Sequence, residues 1–164
     1  MNEFQTKQMG CSLKGVIDVG RALEARLNGL LMPHGLTIVS YGVLKMLVNA
    51  KETPSLSQLA ERLNCVRSNV TQLLDRMEAD HLVKRIPSLK DRRSIRAAIT
   101  PKGRALYTVG AAIVDDLERR MLEGFSLQDC HVLTILLDQL STENESFNER
   151  SGNTTSTPLY FHAS

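Results

Sequence analysis

Apolar residues recur every three or four positions from Leu13 to Leu31, at Leu13, Val16, Ile17, Leu23, Leu27, Leu30 and Leu31. That spacing gathers them on one face of an amphipathic helix. Ser12 can cap its start, and Pro33 with Gly35 ends it. The segment from Thr37 to Val48 carries Ile38, Tyr41, Leu44, Met46, Leu47 and Val48, apolar almost all round. A helix of that kind belongs in the core. Lys51 to Pro54 reads as a loop. A short helix follows from Ser55 to Leu63, where Ser55 or Ser57 can accept from the free amides of the first turn. Asn64 tolerates the left-handed conformation that stops a helix. From Arg67 to Ala79 the pattern is helical again. Val70, Leu73, Leu74 and Met77 point inward; Arg67, Ser68, Asn69, Thr71, Gln72, Asp75 and Arg76 point outward.

After these helices the period changes. Leu82 to Ile86 and Ser94 to Ile99 read as two strands joined by a charged turn, a hairpin with a longer loop. Thr100-Pro101 places a capping residue before a proline at the first helical position. A long helix with Leu106, Val109, Ile113, Leu117 and Met121 runs to about Glu123, and Gly124 ends it. Ser126 to Asp129 opens a last helix carrying Val132, Leu133, Leu136, Leu137 and Leu140, with Asp129 favouring the helix dipole. From Ser141 to Ser164 the chain is rich in Ser, Thr, Asn and Glu with little periodicity, and a disordered polar tail is predicted. The order helix, tight turn, helix, hairpin is that of a winged helix-turn-helix inside a mainly α fold. Ala60 lets the two helices of the motif approach, Leu59 and Leu63 face Val70 and Leu73, and Cys65 and Val66 fill the turn.

Composition narrows the class further. The 164 residues are 42% hydrophobic and 23% charged, which suits one globular domain. No apolar run approaches the length of a membrane span, and no signal peptide is visible at the N-terminus. Three cysteines, Cys11, Cys65 and Cys130, are an odd number without short-range pairing, which argues against a disulfide scaffold and fits a reducing compartment. With 4% aromatics and no Trp, a stacking platform for single strands is not expected.

The net charge of +2 conceals a segregation. Residues 62 to 104 hold eleven Lys or Arg against four Asp or Glu, a block of +7 in a chain whose remainder carries −5. Such a block is the footprint of a polyanion-binding surface. The residue types within it are those that read a duplex. Asn69 and Gln72 can recognise adenine, Arg76 guanine, and Ser68 either phosphates or bases. Lys90, Arg92 and Arg93 sit at the hairpin tip, where long cations suit the negative potential of a narrow minor groove, and Asp91 can orient Arg93. Catalytic motifs are missing: there is no Gly-x-Ser-x-Gly, no phosphate-cradling loop and no His-Glu-x-x-His. Cys130-His131 and the scattered His34, His81 and His162 lack metal-ligand spacing. The chain therefore reads as a binding protein, not an enzyme, with no cofactor or metal.

Several segments together resemble the MarR family of bacterial transcription regulators. They are Leu59 to Leu63, Val70 to Glu78, Leu82 to Arg85, Asp91-Arg92-Arg93 and Ile99 to Gly103. The likeness covers residues 12–140 in element order and is most specific between Leu59 and Arg104. It implies a winged helix-turn-helix at about 55–100, dimerisation helices at about 12–32 and 101–140, and a tail at 141–164. It further implies a homodimer, mostly repressing, on a pseudo-palindromic operator of double-stranded DNA, in the bacterial cytoplasm at the nucleoid. By position Ser68, Asn69, Gln72 and Arg76 would read the major groove, Arg67 and Thr71 would lie near phosphates, and Arg93, oriented by Asp91 and flanked by Lys90 and Arg92, would enter the minor groove. Three departures stand out: Asn64 and His81 replace usual glycines, and Val66 replaces a usual capping residue. Family members release DNA on binding a small aromatic or phenolic acid, or on cysteine oxidation. Arg21, His34, Tyr41 and Met46 are candidates for the first, although Tyr41 and Met46 read more readily as core; Cys11 is the candidate for the second. The rival reading is a winged-helix module that binds protein rather than DNA.

Overall fold

The computed structural model describes residues 13–63, 66–87 and 95–150. Helix α1 spans Leu13–Leu31 and runs into a single 3-10 turn, Met32–His34. Helices α2 (Ile38–Asn49), α3 (Leu56–Arg62) and α4 (Arg67–Ala79) follow, then strands β1 (Val83–Pro87) and β2 (Ile95–Ile99), then α5 (Pro101–Leu122) and α6 (Leu127–Arg150). This is the mainly α, winged helix-turn-helix architecture that the pattern predicts.

Local chemistry sets the boundaries. Gly35, at φ 74°, closes the 3-10 turn in the left-handed region that costs glycine nothing. Thr37 caps α2 and Ser55 caps α3, each in a reciprocal box, with Ser40 and Gln58 reaching back to the cap residue's own amide. Asn28 of α1 adds a tie, accepting from the Ile38 amide at 2.8 Å. Val66 stands at the start of α4 with no side-chain cap, as its apolar type dictates. His81 turns the chain into β1 at φ 59°, the left-handed geometry that this position requires. Asn64 and Cys65 lie outside the described residues, as do Cys11 and Ser12.

The core forms around α2. Ile38, Tyr41, Val43, Leu44 and Leu47 are buried in one cluster with Leu27, Leu31 and Leu36 and with Leu59, Leu63, Val70, Leu74 and Met77 of the helix-turn-helix. The hairpin is antiparallel, Val83 opposite Ile99 and Pro87 opposite Ile95. Its second strand is also engaged on its outer side. Ala97 donates to the Pro54 carbonyl at 3.1 Å and Ser55 bridges Arg96, so the segment read as a plain loop forms a rudimentary third strand. That contact fastens the sheet to the start of α3.

Tyr41 stacks on Tyr107 with ring centroids 5.8 Å apart, and Gly110 of α5 faces the same ring so closely that a Cβ there would lie 2.7 Å from it. Burial pushes the Tyr41 hydroxyl up to about 12, helped by Tyr107 and Asp115. The neutral phenol is thus preferred more strongly in the folded chain than in the unfolded one. Its stabilisation is complete below the ordinary value of 10.0 and is lost as pH rises through about 12. Chemical denaturation at rising pH should show this loss, and Tyr41→Phe should flatten it; an unchanged alkaline profile in the variant would show that the phenol does not ionise from this environment.

One boundary needs correction. The polar tail was expected from Ser141, yet α6 continues to Arg150. Extending an established helix costs little, since nucleation has already been met. Phe147, seven residues beyond Leu140, also prolongs the apolar stripe, and the Thr142 hydroxyl donates to the Asp138 carbonyl at 3.0 Å. Residues 151–164 lie outside the described residues.

Candidate nucleic-acid interface

Helix α4 is placed by its buried side. Val70, Leu74 and Met77 are at most 2% exposed, held against Leu59 and Leu63. The opposite side presents Ser68, Asn69, Gln72 and Arg76, all exposed. Positions 68, 72 and 76 are spaced by one turn, so these side chains form a continuous polar stripe. Amide and guanidinium groups at that spacing can pair with base edges in a major groove. Arg67 is the first residue of α4, and Thr71 is half-buried beside the stripe. Lys90, Asp91, Arg92 and Arg93, which follow β1 in sequence, lie outside the described residues.

The wing is locked to α4 by an arrangement the sequence pattern did not reveal. Arg85, on β1, donates to the Asp75 carboxylate at 2.5 Å and to the Thr71 carbonyl at 3.0 Å, and lies 3.4 Å from the Glu78 carboxylate. The Glu78 carboxylate in turn accepts from the Arg85 amide at 2.9 Å. Residues 71, 75 and 78 lie along one face of the helix, which is why one guanidinium reaches all three. At the other end of the hairpin, the Thr100 hydroxyl donates to the His81 carbonyl at 2.7 Å and accepts from the Gly103 amide at 3.0 Å. Lys102 donates to the Asp80 carbonyl at 2.8 Å. The Ile99-to-Gly103 step therefore welds the wing, the end of α4 and the start of α5.

A groove of about 740 Å³ opens between α4 and the α1–α2 region. Glu24 and Asn28 of α1, Val39 of α2, and Asn69, Gln72 and Arg76 of α4 are among its walls. None of the proposed effector residues lines it. Arg21 is exposed on α1, His34 is exposed on the 3-10 turn, Tyr41 is 3% exposed in the core, and Met46 packs against that core. The four are not brought together, because α2 turns Tyr41 and Met46 into the core while Arg21 and His34 stay outside it. The residues that do line the groove are not legible as a pocket in the sequence. Their spacing marks them as a helix surface, and only the tertiary approach of α1 makes a cavity.

Residues 36–95 match the sequence model of the MarR family. The chain is 31% identical over 108 residues to the homoprotocatechuate degradative operon repressor of Escherichia coli, spanning 65% of this chain and 71% of that protein. This chain belongs to the MarR family. As a MarR-family member it is a DNA-binding transcription regulator. Solved structures agree in fold. The transcriptional regulator BldR of Sulfolobus solfataricus superposes with a TM-score of 0.71 at 27% identity, covering 87% of this chain and 99% of that one. CouR of Rhodococcus jostii, bound to p-coumaroyl-CoA, superposes with a TM-score of 0.66 at 28% identity, covering 77% and 86%. Among the described residues no single helix is long and apolar enough to cross a membrane.

Proposed function

We propose that the chain is a repressor that binds a pseudo-palindromic operator as a homodimer and lets go when a small aromatic acid enters the groove beneath α4. Ser68, Asn69, Gln72 and Arg76 read the major groove, Arg67 and Thr71 lie near phosphates, and Lys90, Arg92 and Arg93 reach the minor groove with Asp91 orienting Arg93. No catalytic step is part of this role.

Dimerisation is supported by the apolar surface of the terminal helices. Leu13, Val16 and Ile17 of α1 and Leu133, Leu136, Leu140 and Phe147 of α6 are each 38% or more exposed. An apolar surface of that extent on two helices marks an association face. A second copy of the chain would cover both helices at once.

The observation that carries the effector reading is the sharing of side chains. Asn69, Gln72 and Arg76 belong both to the exposed stripe of α4 and to the groove walls. The volume lies within the usual range for small-molecule sites, roughly 300–1,000 Å³. An occupant that draws Arg76 toward a carboxylate removes it from the duplex. The names of two relatives suggest the chemistry to try first, homoprotocatechuate and p-coumarate, the free acid of the p-coumaroyl thioester bound by CouR. A duplex selected by the full chain from a random library should be released by one of these or a related aromatic acid. If a panel of such acids leaves binding intact while peroxide abolishes it, and Cys11→Ser restores it, sensing belongs to the thiol instead.

A further inference from the structure

We infer that Arg85 is a positioning residue for DNA recognition, holding the wing at a fixed angle to the reading helix through its simultaneous grip on Thr71, Asp75 and Glu78. Arg85 belongs by sequence to the basic block and would ordinarily be counted among the phosphate-contacting cations. Its surroundings say otherwise. The Arg85 side chain is only 22% exposed, and its guanidinium is spent on protein acceptors: the Asp75 carboxylate at 2.5 Å, the Thr71 carbonyl at 3.0 Å and the Glu78 carboxylate at 3.4 Å. The Glu78 carboxylate also takes the Arg85 amide, so backbone and side chain are both fixed.

The same contacts account for two acids on a helix that meets a polyanion. Carboxylates at Asp75 and Glu78 would repel phosphates if left free. Paired with Arg85, they contribute little repulsion and gain a structural use. An isolated surface ion pair would be worth little, but this one is a partly buried network with a planar fork and three acceptors. It joins two elements that must dock together, because α4 enters one groove while the tip between β1 and β2 reaches the next. Recognition by both then depends on a fixed angle between them.

The inference rests on the DNA-reading role of α4, which binding of the selected duplex by the unmodified chain tests separately. The measurement is the dissociation constant of the full chain and its variants for that duplex, with helicity and melting temperature recorded for each. Asp75→Ala should weaken binding several-fold although it removes a negative charge from the DNA-facing side. Arg85→Ala should weaken it by at least about tenfold, the scale of one charge-assisted hydrogen bond. The double variant should bind no worse than Arg85→Ala alone, since the two residues act through one contact. Arg85→Lys keeps the charge but offers no planar fork, and it should keep most of the deficit. Asp75 is more than half exposed, so Asp75→Ala carries the test even if Arg85→Ala fails to fold. Tighter binding by Asp75→Ala would mean that the acid merely repels DNA, and would overturn the inference. Additive losses in the double variant, or full activity in Arg85→Lys, would make Arg85 a direct phosphate contact and overturn it as well.

Discussion

Gly103→Ala is expected to destabilise the chain by about 3 kcal/mol, the upper part of the range for forcing an extra carbon into packed structure. A Cβ at this position would lie 2.1 Å from the Leu82 carbonyl oxygen and 2.9 Å from Ile99. The obstacle is backbone, and it cannot step aside. The Leu82 carbonyl accepts from the Thr100 amide at 3.1 Å, and the Thr100 hydroxyl, which donates mainly to His81, lies 3.1 Å from it. Moving it would detach α5 from the hairpin. Alanine's better helix propensity returns about 1 kcal/mol at most and does not reverse the sign. A thermal melt should fall by roughly 6–12 °C, given 2–4 °C per kcal/mol for a chain of this size. The loss should extend to operator binding, because the same junction orients the wing. An unchanged melting temperature would mean that α5 does not approach the Leu82 carbonyl as described.

If the chain pairs through α6 as proposed, Leu136→Asp should leave it monomeric and lower operator affinity by at least about 100-fold, the usual gain from linking two binding events. Leu136 is 51% exposed on α6 and stands near Leu133 and Leu140 on the same apolar face. An aspartate there would have to be buried without a partner in any twofold pairing of these helices. Light scattering during gel filtration should shift from twice 18.2 kDa to 18.2 kDa. The helix-turn-helix core does not include Leu136, so its helices should persist in circular dichroism. A variant that remains dimeric would move the association surface away from α6.

Sequence periodicity was enough for the parts of this fold that are built from local pattern. The amphipathic α1 and α4, the apolar α2, the Thr100-Pro101 start of α5 and the Ser55 cap all follow from residue type and spacing. The polar stripe from Ser68 to Arg76 is legible for the same reason: it is the face left over once Val70, Leu74 and Met77 go inward. The end of α6 was not, because one phenylalanine among Glu, Asn and Ser is too sparse to register as a period. Pairing of Ser55 with Arg96 was hidden because it joins residues 41 apart through one bridge. The role of Arg85 was hidden for a different reason. Charge counting treats every arginine as available, and only the approach of β1 to α4 shows that this one is committed.

In the proposed function, two protomers present the stripe on α4 and the hairpin together to one duplex. The most direct test is a titration of the selected duplex with the full chain, followed from low to physiological salt, with the stoichiometry of the complex measured alongside. Two protomers per duplex are expected, with affinity falling by about a thousandfold or more between 50 and 200 mM salt as phosphate contacts displace counterions. One protomer per duplex, or an affinity indifferent to salt, would contradict the account.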